Sequence, residues 1–209
     1  MPKVLEIDSK NCSGCAEDNW KCCFSPEERE GFKTLGNGSS GDVLGFKNIA
    51  VKSVDLDPLR PKSPSEAHDL DKRKAAAEIA LWRFTTQEAP IAKVMSNKGV
   101  GPKVFEIFIS ENDNYGVIKM ERLSESFAHA LPKIKTIEQL SEVEKLIDQK
   151  LNLLIDAGYT CVDMRPENIM ILRDDHDLID DVALIDFGDN FCSIHGDADP
   201  TPAHASKIG

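Results

Sequence analysis

The sequence lacks any apolar run of the roughly 20 residues that a membrane-spanning helix requires. Its first residues, Met1 to Glu6, also lack the apolar core of a signal peptide. We therefore expect a soluble protein made in the cytoplasm, without a membrane partner.

Positive charge is also scarce, since 25 Lys and Arg residues face 36 Asp and Glu residues, which gives a net charge of −11. Such an acidic surface repels nucleic acid and anionic membranes, so we expect neither as a partner. A polyanion such as ATP could bind only with local help from a lysine, a divalent metal ion and backbone amides.

Four of the six cysteines lie close together near the N-terminus, at Cys12, Cys15, Cys22 and Cys23. The first spacing suits a structural Zn²⁺ ion, whereas two adjacent cysteines fit a tetrahedral site poorly. Free thiols, bound zinc and disulfides all stay open, and a reducing cytoplasm favours free thiols.

Residues 1–30, which carry this cysteine cluster, are interpreted as an N-terminal extension. Ser25 followed by Pro26 and several acidic residues is a typical helix start, because Ser caps a helix and Pro fits its first turn. We expect a short helix there, packed beside the main domain.

A glycine-rich segment follows, and Gly36 to Val43 fits the pattern G-x-G-x-x-G-x-V. Glycines allow the backbone to approach phosphates closely, but three glycines are also common in an ordinary hairpin turn. The next apolar stretch, Ile49 to Val51, ends in Lys52, a pattern that places an ammonium group near the α and β phosphates of a nucleotide.

A helix is predicted from Ser65 or Glu66 to Thr86, with Ala75, Glu78 and Trp82 on one face. A carboxylate on such a face needs a partner, and Lys52 is the candidate. The alternative is a surface pair between Glu78 and a lysine of the same helix.

Two strands, Val104 to Ile109 and Gly116 to Met120, and then a strong amphipathic helix, Ile137 to Ala157, are predicted next. The apolar stripe of this helix has spacings of three and four residues and consists of Leu140, Val143, Ile147, Leu151 and Leu154. Gly158 ends the helix as a C-terminal glycine.

The segment from Gly158 to Gly188 carries the chemistry. Asp163 could orient a hydroxyl nucleophile, and Arg165 could neutralise a transferring phosphoryl group. Asn168 and Asp186 could supply the hard oxygen ligands that Mg²⁺ prefers. The strand pair Ile169 to Leu172 and Val182 to Ile185 spaces these residues.

Taken in order, these segments resemble the eukaryotic-type protein kinase superfamily over about Phe32 to Gly188. The resemblance implies an α+β, protein-kinase-like two-lobe fold with a truncated C-terminal lobe. Residues 31–123 would form the N-lobe and 124–209 the C-lobe. Lys52 would pair with Glu78, Asp163 and Arg165 would act in catalysis, and Asn168 and Asp186 would hold the metal.

The resemblance also implies a nucleotide site with Met120 as gatekeeper and with hinge backbone groups facing adenine. The implied nucleotide-binding residues are Leu35, Gly36, Gly38, Gly41, Val43, Ala50, Lys52, Met120, Glu121, Leu123 and Met170. ATP and Mg²⁺ are the expected cofactors.

The sequence departs from the family in three places. Cys161-Val162 replaces the usual His-Arg, Arg165 replaces the usual lysine, and only 21 residues without an Ala-Pro-Glu signature follow Gly188. The last departure leaves little chain for a peptide-docking platform, so a partner protein could complete the C-lobe.

The expected function is transfer of the γ-phosphoryl group of Mg-ATP to a hydroxyl group, in the manner of a serine/threonine kinase acting on a protein substrate. The alternative is a pseudokinase or structural assembly component, for example of a large virus particle. A small-molecule kinase is a third reading. Compact kinases of this kind resemble those of large DNA viruses and some secreted bacterial effectors, which makes the host cytoplasm or a virion the expected location.

Overall fold

The computed structural model describes residues 7–10, 20–38, 41–59, 69–110, 114–161, 164–186 and 191–193. The strands are β1 (Asp8–Lys10), β2 (Lys33–Gly38), β3 (Gly41–Phe46), β4 (Ile49–Asp55), β5 (Val104–Ser110), β6 (Tyr115–Glu121), β7 (Glu125–Ser126), β8 (Tyr159–Cys161), β9 (Ile169–Arg173), β10 (Ile179–Leu184) and β11 (Phe191–Ser193). The α-helices are α1 (Pro26–Gly31), α2 (Leu70–Arg83), α3 (Ala89–Asn97), α4 (Phe127–Ala130) and α5 (Ile137–Asp156).

The first lobe is built on a six-stranded sheet with the order β1-β5-β6-β4-β3-β2, in which only β1 runs parallel to its neighbour. The second lobe combines α4 and α5 with the small sheet β10-β9-β7 and the strand pair β11-β8. This arrangement confirms the α+β, protein-kinase-like fold class with a small second lobe.

The described parts of the N-terminal segment, residues 7–10 and 20–30, pack against the sheet of the first lobe. β1 adds a parallel strand to β5, and Trp20 and Phe24 are buried in one cluster with Leu44, Val51 and Phe108. Aromatic side chains bury large apolar areas, so this cluster anchors the segment to the sheet.

The short helix predicted after Ser25 is confirmed as α1. Ser25 and Glu28 form a reciprocal capping box, and Pro26 occupies the first turn. The Lys119 ammonium lies 3.2 Å from a Glu28 carboxylate oxygen, which ties α1 to the sheet.

The cysteine cluster falls mostly outside the described residues. Cys12 and Cys15 lie in the undescribed part of the chain, only the backbone of Cys22 is described, and Cys23 is half-buried. Zinc at this cluster therefore stays a prediction.

The helix predicted to end at Thr86 continues much further, and its predicted start at Ser65 or Glu66 lies outside the described residues. α2 begins at Leu70 with Asp69 as its cap, passes through a π-helical turn, Phe84–Glu88, and runs on as α3 to Asn97. The expected end at Thr86 is wrong, because Pro90 looks like a helix breaker but fits the first turn of α3.

This helical segment bridges the two lobes. Phe84 and Ala89 pack against Ile118 of the sheet. Ile91 and Met95, further along the helix, belong to the core of the second lobe, together with Val100, Val143, Leu154, Ile169, Ile171, Val182 and Leu184.

The helix predicted from Ile137 to Ala157 is confirmed, and α5 buries Val143 and Leu154 completely. Thr136 caps its start, and Gly158 follows with a φ of +83°, a left-handed conformation that favours glycine. The strand pairs β5–β6 and β9–β10 also form where the sequence pattern places them.

None of the helices in the described ranges is both long and apolar enough to cross a bilayer.

Gly116 is required by the packing of Phe84 under the sheet, and its replacement tests that packing. A Cβ atom at Gly116 would lie 2.6 Å from the Phe84 ring. Gly116→Ala should therefore lower the free energy of unfolding by about 1–3 kcal/mol, the usual cost of overpacking a core. Urea unfolding measures this change.

Gly36→Ala is the matched control, since a Cβ atom there meets no atom within 4 Å. Its free energy of unfolding should change by less than about 0.5 kcal/mol, as for ordinary surface substitutions. Equal destabilisation by the two substitutions would contradict the packing described for Phe84.

Candidate functional site

Lys52 lies at the centre of the sheet face that points toward the second lobe. Cross-strand neighbours share a face of a sheet, and Lys52 is opposite Val43 on β3 and Ile118 on β6. The residues next to it in sequence, Val51 and Ser53, are buried on the other face. The Lys52 side chain is only 12% exposed, so its ammonium group needs a partner.

That partner is Glu88, and the Lys52–Glu78 pair predicted from the sequence is wrong. The Lys52 Nζ atom lies 2.6 Å from Glu88 Oε1, and the Glu88 side chain is 14% exposed. Glu78 is exposed on α2, a helix without any buried residue. The first buried residue of the helical segment is Phe84. Position 78 lies before the part of the segment that packs against the sheet, so a carboxylate there does not reach Lys52.

The π-helical turn brings Glu88 to this position. The Ala89 N–H donates to the Phe84 carbonyl, five residues back, so the turn contains one residue more than a regular α-helical turn. The Thr86 hydroxyl donates to the Trp82 carbonyl at 2.7 Å and satisfies an acceptor within the irregular turn. π-Helical turns are frequent at functional sites.

A signal for Glu88 was present in the sequence. Phe84, Glu88, Ile91 and Met95 follow one another at spacings of four, three and four residues, which is one helical face. Three of these residues are buried apolar side chains, and the fourth is a carboxylate. A glutamate within such a stripe indicates a buried cation opposite.

Asp186 approaches the same ammonium group from the second lobe. Its Oδ1 atom lies 3.5 Å from Lys52 Nζ, and its side chain is 41% exposed. The backbone at Asp186 has a φ of +61°, in the left-handed region that Asp adopts more readily than most residues with a side chain.

Asn168 lies beside Asp186. The Ile185 N–H donates to the Asn168 carbonyl at 2.9 Å, just beyond the β9–β10 ladder in which Ile169 pairs with Leu184. Asn168 is buried at the end of a short 3₁₀ turn, whereas Arg165 at the start of that turn is exposed. Asp163, Phe187 and Gly188 lie outside the described residues.

The glycine-rich segment forms a hairpin between β2 and β3, with Gly38 paired to Gly41. At Gly41 the φ is +131°, and a Cβ atom would lie 2.2 Å from the Ser53 carbonyl oxygen, so this glycine is needed for the close approach of β3 and β4. Gly36 instead faces open space.

Most of the apolar residues predicted to surround a base share the sheet face of Lys52. Val43 pairs with Lys52, Ala50 pairs with Met120, and the Leu35 side chain reaches over Gly45, which is opposite Ala50. Met170 is half-buried on β9 of the second lobe.

The connection between the lobes begins at the end of β6. The Glu121 N–H donates to the Lys103 carbonyl at 2.8 Å, and the Arg122 N–H donates to the Asn48 carbonyl at 2.9 Å. In the part of the chain that the structure describes, no hydrogen bond engages the Leu123 N–H. The Leu123 N–H is therefore a donor available at this connection.

Glu125 anchors the strand that follows this connection. It forms ion pairs with Lys133 and with Arg173, whose Nη2 atom lies 3.0 Å from Glu125 Oε2. The hydrogen bond from Lys133, aided by that from Arg173, outweighs the opposing effect of burial and lowers the pKa of Glu125 below its ordinary value.

The fold and the candidate site together have a kinase-like arrangement. A glycine hairpin and a strand lysine paired with a helix glutamate lie in one lobe, and an aspartate beside an asparagine faces them from the other. No protein-family model matches the chain, and no curated protein matches it.

Among solved structures, the chain is similar to WbdD, described as a bifunctional kinase-methyltransferase. A complex of WbdD with the kinase inhibitor LY294002 aligns with a TM-score of 0.48 and 16% identity, over 75% of this chain and 32% of WbdD. Two further WbdD structures give TM-scores of 0.48 and 0.47 with 15% and 18% identity, over 83% and 74% of this chain and 34% and 30% of theirs. The chain thus spans about a third of the length of these proteins.

The lowered pKa of Glu125 predicts a pH-dependent contribution to stability. The unfolded chain binds a proton at Glu125 more readily than the folded one, so the ion pairs stabilise the fold fully above the ordinary pKa of the carboxyl group. This stabilisation is lost as the pH falls through the lowered pKa of the folded state. Glu125→Gln should flatten that part of the profile of unfolding free energy against pH, measured by urea unfolding.

Glu142→Gln is the control, because Glu142 forms an exposed pair with Lys145 that contributes little. The interpretation of Glu125 fails if both variants keep the acid-side slope of the unmodified chain.

Proposed function

We propose that this chain is an ATP-dependent phosphotransferase that moves the γ-phosphoryl group of Mg-ATP to a hydroxyl group. The observation that carries this proposal is the position of the Lys52 ammonium, which Glu88 holds at 2.6 Å while Asp186 approaches within 3.5 Å. An amine fixed by a carboxylate next to a second acidic group is the arrangement by which kinases bind nucleotide phosphates and their metal.

In this proposal the phosphates lie between Lys52 and the glycine hairpin. Lys52 donates to the α and β phosphates, and Glu88 prevents its side chain from turning away. The open space at Gly36 leaves room for a phosphate or ribose group close to the backbone. Gly38 and Gly41 shape the rest of the hairpin, and Gly41 keeps β3 close to β4.

The residues present also fit a Mg²⁺ ion. Asn168 and Asp186 carry oxygen donors of the kind that suits a hard divalent cation. The Asn168 backbone carbonyl bonds to Ile185, the residue before Asp186, and the Asp186 side chain is 41% exposed. Such an ion neutralises the phosphate charge when it is bound. The chain has a net charge of −11, so its own lysine alone would hold a triphosphate weakly.

The adenine base would bind against the connection between the lobes. Leu123 offers its free N–H, and the Glu121 backbone carbonyl is the proposed acceptor. Apolar contacts would come from both lobes, and the side chains are Leu35, Val43, Ala50, Met120 and Met170.

Asp163 is proposed to orient the attacking hydroxyl and to accept its proton as the new P–O bond forms. The bond between the γ-phosphorus and the bridging oxygen would break in the same step, and ADP would leave with that oxygen. Arg165 is exposed next to Asn168 and is proposed to neutralise the transferring phosphoryl group. The acceptor we favour is a serine or threonine of a protein, which a partner completing the second lobe could help to dock.

The strand lysine gives the first test. Lys52→Met should weaken binding of ATP with Mg²⁺ about 10- to 100-fold, because a charge-assisted hydrogen bond contributes roughly 1.5–3 kcal/mol. Isothermal titration calorimetry measures the change. Lys47→Met is the control, since Lys47 is exposed in the turn between β3 and β4 and pairs with Glu27. Equal binding by all three proteins would argue against a phosphate role for Lys52.

The choice between the two glutamates gives the second test. Glu88→Gln removes the charge that holds Lys52, so it should weaken ATP binding by about tenfold. Glu78→Gln changes an exposed side chain and should leave the affinity unchanged. The reverse order of effects would show that the lysine pairs with Glu78 in solution and would overturn the described site.

Transfer itself separates the enzyme from a binding module. The unmodified chain should transfer labelled phosphate from ATP to a generic protein acceptor, and Asp163→Ala should abolish this transfer while ATP still binds. Binding of ATP without any transfer would favour the alternative, a pseudokinase that keeps the fold as an assembly component.

A further inference from the structure

Lys150 is a buried lysine that the proposed chemistry does not use. It lies on α5 with 8% of its surface exposed, and burying an ammonium group costs free energy unless it is paired. Its Nζ atom donates to the Gly99 carbonyl at 2.8 Å and to Asp181 Oδ2 at 2.6 Å. The buried ammonium group therefore links the Gly99 carbonyl to the Asp181 carboxylate.

Asp181 has a backbone partner as well. It lies in β10, its side chain is 39% exposed, and its Oδ1 atom accepts the Val182 N–H at 2.8 Å. This bond and the Lys150 ammonium together orient the carboxylate in the second lobe.

Gly99 belongs to the turn that ends α3. Its φ is +65°, and the Val100 N–H donates back to the Met95 carbonyl at 2.9 Å. The second lobe also holds the next residue, since the Leu184 N–H donates to the Val100 carbonyl at 2.8 Å. Two consecutive carbonyls of this turn are thus bonded to the second lobe.

The other end of α3 carries Glu88. A helix transmits a displacement of one end to the other, because its backbone hydrogen bonds keep it rigid. The position of the Gly99 turn on the second lobe therefore sets where Glu88 meets Lys52 of the first lobe.

We propose that Lys150 is a positioning residue that places Glu88 against Lys52 by fixing the end of α3 to the second lobe. The inference deepens the proposed function, since it makes the phosphate-binding lysine dependent on how the two lobes are docked. Lys150 does not touch the nucleotide in this proposal and acts only through α3 and Glu88.

The first experiment needs no nucleotide. The rate at which an amine-reactive reagent labels Lys52 is measured by mass spectrometry in the folded chain. An ammonium group buried against Glu88 reacts slowly. Lys150→Met should raise the Lys52 labelling rate several-fold, toward the rate in Glu88→Gln. Lys145→Met is the matched control, because Lys145 is exposed on the same helix and should leave the rate unchanged.

Thermal unfolding confirms that each variant is folded at the labelling temperature. If Lys150→Met does not fold, Lys150→Gln serves instead, because it removes the positive charge and keeps a polar end on the side chain. An unchanged Lys52 labelling rate in a folded variant of either kind overturns the proposal, whatever the nucleotide does.

The second experiment is a double-mutant cycle on the affinity for ATP with Mg²⁺. If Lys150 acts through Glu88, Lys150→Met should weaken binding several-fold in the unmodified chain and have almost no effect in Glu88→Gln. Equal effects in both backgrounds would overturn the proposal. A chain that binds no ATP would refute the proposed function alone, and the labelling experiment would still decide the role of Lys150.

Discussion

The structure depends on one buried ion pair, between the Lys52 ammonium on the sheet and the Glu88 carboxylate on the helical segment. Both side chains are mostly buried, so each charge offsets the free-energy cost of burying the other. The loss of one would leave an uncompensated buried charge. The sheet must therefore keep Lys52 on the face that looks toward the second lobe, and the helix must bring an acid to that face. The glycine hairpin lies on the strand next to Lys52, and Asp186 lies 3.5 Å from its ammonium group.

The helical segment packs against both lobes, so the geometry of the ion pair depends on how the lobes are placed relative to each other. Phe84 and Ala89 pack under the sheet, whereas Ile91 and Met95 pack in the second-lobe core. A shift between the lobes would thus move Glu88 relative to Lys52. Lys150 and the Leu184 N–H bond to two carbonyls of the turn that follows α3, and we propose that these bonds couple the ion pair to the docking of the lobes.

Much of this arrangement could be predicted from local patterns. Lys52, the hairpin glycines and α5 follow from alternation, glycine spacing and helical periodicity. Glu88 was missed although its spacing to Phe84, Ile91 and Met95 follows one helical face, because Pro90 suggests that the helix ends before it. Trp20 and Phe24 were also missed as core residues, since their partners on β3, β4, β5 and β6 are distant in sequence. Contacts between distant segments depend on the assembled sheet, which no local pattern contains.

The most direct test of the central claim is a crystal structure of the chain with a non-hydrolysable ATP analogue and Mg²⁺. We expect phosphate oxygens within hydrogen-bond distance of Lys52 Nζ, the Lys52–Glu88 pair intact, and the metal ion at Asn168 and Asp186. A Lys52 side chain that points out of the cleft, or an analogue bound away from the glycine hairpin, would contradict this claim.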